Sequence, residues 1–141
     1  MGTDLLLKRF SLHMLKQKTL IGIYKADGGL AGELSYFIGH LIGVRHCSLC
    51  DITHSPIMKK REFKELERRI EAEFGIGFSL LHMNERTAEE ERASAGREPC
   101  VLLQHEDGTL SMFLDFMELQ AVDGSVKSFE KLLRTRLDLF I

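Results

Sequence analysis

The chain has 141 residues, 44% of them hydrophobic and 28% charged, which is the composition of one globular domain. Its 19 Lys and Arg against 21 Asp and Glu leave a formal net charge of −2, so no basic footprint points to nucleic acid or to an anionic membrane. No apolar run approaches the ~20 residues that span a bilayer.

Residues 1–18 carry Leu5, Leu6, Leu7, Phe10, Leu12, Met14 and Leu15 in neither a helical nor a strand period, and are expected to form a helix or extended arm packed on a domain of residues 19–141. Leu20-Ile21-Gly22-Ile23-Tyr24, ended by Asp27-Gly28-Gly29, reads as a buried strand. Leu30, Leu34, Phe37, Ile38, Leu41 and Ile42 recur at spacings of three and four, one face of a helix that Gly43 stops. Val44 to Ile52, short and rich in small and sulfur residues, reads as a second strand or extended segment. Ser55 as N-cap and Pro56 in the first turn open a helix with Phe63, Leu66, Ile70 and Phe74 inward, its charges solvated, and Gly75 at its end. Phe78 to Met83 is a third strand, and Thr87-Ala88-Glu89-Glu90 a capping box that starts a short polar helix. Val101 to Gln104 is a fourth strand, Asp107-Gly108 a hairpin turn, and the alternation of Leu110, Met112, Leu114 and Phe116 a fifth strand. Val126, Phe129, Leu132, Leu133, Leu137 and Phe140 line a last helix. The alternation predicts an α/β domain with a central mixed sheet of about five strands, the first three parallel and the last two a hairpin, and helices on both faces.

Glu98-Pro99-Cys100-Val101-Leu102-Leu103, followed by Asp107-Gly108, an alternating strand and a final helix, resembles the thioredoxin-like fold over roughly residues 19–141. The resemblance implies a three-layer sandwich. It also implies a cis-proline at Pro99, beside a redox motif and shaping a substrate groove. Redox members of that superfamily carry paired cysteines at the start of the second helix. Here that place holds Thr53-His54-Ser55-Pro56, with Cys47 and Cys50 a few residues earlier. A second alignment puts Asp27-Gly28-Gly29-Leu30-Ala31-Gly32 where other members carry the cysteine motif after the first strand.

Cys47-Ser48-Leu49-Cys50 is the strongest chemical signal. A reversible disulfide requires the segment to turn, because residues three apart on a strand face opposite sides. A reactive thiolate requires a helix N-terminus or a cationic neighbour, and Arg45, His46 and His54 are available. By analogy Cys47 is the attacking thiol, Cys50 resolves, and His54 stabilises the thiolate. This predicts thiol–disulfide exchange with a protein or small-molecule disulfide and no cofactor. The same residues open an alternative, a non-catalytic protein holding zinc or copper through Cys47, Cys50, His54 and Cys100, with His46 and His82 in reserve. A third reading is a protein-binding module without an active thiol.

The remaining features carry less. The glycine-rich turn at Asp27 to Gly32 lacks a phosphate-binding spacing, and no nucleophile elbow is present. His13 and His40 read as structural and His105 as exposed. Asp4 precedes the short N-terminal apolar run and Lys8 and Arg9 soon interrupt it, unlike a secretory signal; Leu6 replaces the Ser or Thr of a myristoylation site, and three cysteines, an odd number, fit a reducing compartment. A cytoplasmic location is expected.

Overall fold

A computed structural model describes residues 17–27, 47–54 and 59–140. The helix expected over Leu30 to Ile42, nearly all of the N-terminal arm, the glycines after Asp27, His13, His40, His46 and the Ser55-Pro56 step lie outside the described residues.

Four strands form one mixed sheet in the order β2-β1-β3-β4: β1 (Thr19–Ile23), β2 (Gly77–Leu81), β3 (Cys100–Gln104) and β4 (Leu110–Leu114). β1 and β2 are parallel, with Ile23 opposite Leu81, and β3 runs antiparallel to both β1 and β4. Asp107 accepts from the Thr109 amide (3.0 Å) and hydroxyl (2.6 Å), closing the expected turn between β3 and β4.

Two expectations about strands are corrected. Val44 to Ile52 does not supply a second strand: α1 (Ser48–Thr53) is a helix with Cys47 as its N-cap. Leu49 and Ile52, three apart, both turn into the core, a helical spacing that the small and sulfur residues around them obscure. The sheet therefore has four strands among the described residues, not five. The last strand stops at Leu114, because Asp115 and Glu118 form a capping box that starts α4 (Phe116–Val122). Phe116 thus leaves the strand alternation and is 46% exposed.

The helix expected from Ser55 is α2 (Arg61–Phe74), with Lys60 at its N-cap. His54 and Lys59 form an isolated antiparallel bridge, and the Lys60 amide bonds the Thr53 carbonyl (2.7 Å) just before this helix begins. Gly75 ends this helix in the left-handed region (φ 67°), which only glycine adopts without strain. α3 (Ala88–Ser94) carries the expected capping box at Thr87 and Glu90, and α5 (Val126–Phe140) follows α4. No described helix is long and apolar enough to cross a membrane.

Strand alternation divides the interior into two layers. Leu20, Tyr24, Val101 and Leu103 share the larger core with Leu49 and Ile52 of α1, Phe63, Leu66 and Ile70 of α2, and Phe129, Leu133 and Leu137 of α5. Ile21, Ile23, Cys100 and Leu102 point the other way, against Ala93 of α3, Leu81, Leu110 and Met112. Each of the wholly buried Leu, Ile and Phe side chains contributes roughly 1.5–3 kcal/mol of transfer free energy. Some charges of α2 do more than meet solvent. Arg69 reaches Glu130 of α5 (2.7 Å), and Arg134 of α5 joins Glu130 (2.9 Å) and Glu73.

Candidate functional site

The C-terminal ends of β1 and β2 and the N-terminal end of β3 meet at one rim of the sheet, where the strand ends of α/β folds commonly bind ligands. Tyr24 leaves β1 there, its amide on the Leu81 carbonyl (2.9 Å), and the Met83 amide returns to the Ala26 carbonyl (2.8 Å). The register that pairs Ile23 with Cys100 brings buried Pro99 to the same rim, and the Glu98–Pro99 peptide is cis. Arg86 ties the adjoining loops together through the Met83 carbonyl (2.9 Å), the Ser94 hydroxyl (3.0 Å) and the Glu98 carboxylate (3.7 Å).

α1 delivers the cysteines to this rim. Cys47 is extended (φ −142°, ψ 107°), and its Sγ accepts the Cys50 amide at 3.3 Å, the bond that an N-cap makes to the third helical residue. Hydrogen bonding from the neighbouring Cys50 side chain holds the Cys47 thiol below the usual cysteine range, helped by the backbone amides of Lys25 and Cys50. Burial and the Asp51 carboxylate push the other way without prevailing. Cys47 is 0% exposed, Cys50 is half-buried, and no disulfide joins them.

Beside the pair lies a polar triangle inside the larger core. The Tyr24 hydroxyl is 2.8 Å from the Thr53 hydroxyl and 3.2 Å from His54 Nδ1, and Thr53 is 2.7 Å from the same nitrogen. Burial drives the Tyr24 phenol far above its usual range, against the Thr53 bond, and negative charge at Cys50 or Cys47 would raise it further. Tyr24 therefore stays neutral. Its ring stands edge-on to His54 (centroids 5.8 Å apart) and tilted against His82 (5.1 Å). Glu85 accepts from both the amide and Nδ1 of His82, each at 2.6 Å, and these bonds keep the Glu85 carboxyl below the usual carboxylate range.

The structure thus brings Cys47, Cys50 and His54 to one place, with Pro99 and His82 on the same rim. Cys100 is not with them: it belongs to the opposite layer, with Ile21, Ile23 and Leu102. The four-ligand set of Cys47, Cys50, His54 and Cys100 is therefore not assembled, because β3 alternation sends Cys100 through the sheet. Burial pushes the Cys100 thiol up to about 12, which leaves it protonated and inert. No group of three or more His, Cys, Asp and Glu among the described residues is placed to hold a metal ion. His105 lies on the exposed hairpin, 2.8 Å from Ser111. Tyr24 and Thr53 escape sequence reasoning, since their bond spans 29 positions and no local pattern announces it.

Fold and site together define an α/β protein with two cysteines, not joined by a disulfide, on one helical turn at the rim of a mixed sheet. No family model, no curated protein and no solved structure matches this chain.

Proposed function

We propose that this is a thioredoxin-like protein that performs thiol–disulfide exchange through Cys47 and Cys50. The observation that carries the reading is the helix start itself: Cys47 caps α1 with its Sγ accepting the Cys50 amide at 3.3 Å, which sets the two cysteines on one turn, and the Cys50 side chain lowers the Cys47 thiol against its own burial. A thiolate held by a second thiol is the reduced form of a pair ready to close into a disulfide. Three features favour the fold assignment: the strand order β2-β1-β3-β4, the parallel β1–β2 pair and the closing hairpin. Three free cysteines suit a reducing, cytoplasmic setting, with a protein or small-molecule disulfide as reaction partner.

The test is a redox titration. The reduced protein is equilibrated against glutathione buffers of increasing potential, and its free thiols are counted after acid quenching. Loss of two thiols in one two-electron step, absent in a Cys47→Ala/Cys50→Ala protein, supports exchange. A chain that keeps all three thiols across the range sinks the reading and leaves the binding-module alternative.

A further inference from the structure

We infer that the two cysteines work in the reverse of the order expected by analogy: Cys50 attacks the substrate disulfide and Cys47 resolves the mixed intermediate. The inference rests on the exchange reading above and assigns the roles within that site. Its basis is geometric. Cys47 is 0% exposed and belongs to the larger buried core, whereas Cys50 is half-buried and only borders that core. A thiolate must approach a disulfide sulfur along the S–S axis, so the first attack needs room on the solvent side of the nucleophile. Half-buried Cys50 is the more accessible of the two, and Cys47 is closed to solvent until α1 moves. The second step is intramolecular, needs no access from solvent, and suits the buried sulfur.

The chemistry balances without another group. The Cys50 proton passes to the Cys47 thiolate, leaving the negative charge on Cys50. Cys50 Sγ then bonds to one substrate sulfur as the substrate S–S bond breaks, and the other sulfur leaves as a thiolate. Next, Cys47 Sγ attacks Cys50 Sγ and releases the bound substrate sulfur, which takes the Cys47 proton. The protein dithiol is oxidised by two electrons and one substrate disulfide is reduced to two thiols.

Substoichiometric iodoacetamide on the reduced wild-type protein, followed by peptide mapping, reads the order directly. The expected result is label on Cys50 at least about tenfold ahead of Cys47, with the difference lost in denaturant, because access rather than acidity decides the rate. Label on Cys47 first overturns the order. Glutathione disulfide then tests the roles: a Cys47→Ala protein accumulates a mixed disulfide at Cys50, and a Cys50→Ala protein reacts at least about tenfold more slowly. Equal trapping in both variants also overturns the order. If wild type and Cys47→Ala both ignore glutathione disulfide, the exchange reading falls and the order falls with it.

Discussion

Substituting Gly22 should lift the cysteine-bearing helix off the sheet, and its cost can be worked from three distances. A Cβ at position 22 would lie 2.8 Å from Leu80 Cδ2, 3.1 Å from Leu49 Cδ2 and 3.5 Å from Phe78 Cε1. Leu80 is half-buried and can rotate away, but Leu49 is wholly buried in α1 and can yield only if the helix moves. Overpacking of this kind costs about 1–3 kcal/mol, while replacing glycine by alanine within a strand returns about 0.5–1 kcal/mol. Gly22→Ala should therefore destabilise by about 1 kcal/mol, a fall of about 4 °C in melting temperature for a chain of this size. Gly22→Val, with two more methyl groups, should lose about 2–3 kcal/mol. Urea unfolding with an unchanged m-value measures both. The decisive comparison is a double-mutant cycle with Leu49→Ala, itself costing about 3 kcal/mol. In that background Gly22→Ala should become neutral or stabilising, a coupling of about 1 kcal/mol. A valine variant as stable as wild type, or an alanine cost identical in both backgrounds, would refute the claim that α1 rests on the bare backbone of β1.

Two further outcomes follow from the thiols. Because the folded protein holds Cys47 below the usual cysteine range, between the folded and unfolded values it binds fewer protons than the unfolded chain. The stabilisation from this site should therefore be complete above the unfolded value and be lost as pH falls through the folded one. Cys50→Ala removes the largest cause, so the rise in stability across that window should shrink and thiolate absorbance should appear at higher pH; an unchanged profile would deny the bond between the thiols. Cys100, raised to about 12 by burial, should escape a disulfide reagent in the native Cys47→Ala/Cys50→Ala protein and react once denaturant is added. Cys100→Ala should leave exchange intact and lose about 1 kcal/mol of stability, and loss of exchange in that variant would place the third thiol in the site.

Period-2 and period-3.6 patterns made β1, β2, the β3–β4 hairpin and α5 legible, since each buries a continuous apolar face whatever its neighbours do. Two of the three short helices, α1 and α4, were not. α4 starts on Asp115 and Glu118, a readable capping box, but the strand alternation continues through Leu114 to Phe116 and hides it. α1 has six residues, two of its apolar side chains face the core, and its cap is a sulfur rather than the Ser, Thr, Asp or Asn that sequence rules look for. The separation of Cys100 from the other cysteines was present in the sequence all along. Cys100 alternates with Val101, and Val101 belongs with Leu20 and Tyr24, so parity alone places Cys100 in the other layer.

The reading of Cys47 to Cys50 as extended chain and the doubt about whether its sulfurs meet are one problem. On a strand, residues three apart face opposite layers, and the pair would be inert. At a helix start, the same interval is the distance between N-cap and third helical residue, whose amide and side chain both turn back toward the cap. Cys47 accepts that amide at 3.3 Å, and that side chain is the main cause that lowers its thiol. One sulfur therefore begins the helix and holds the thiolate, and the Cys-x-x-Cys interval serves as a capping interval. Closing the disulfide would take negative charge off the sulfur that accepts the first-turn amide, so oxidation of this pair and the stability of the α1 start cannot vary independently.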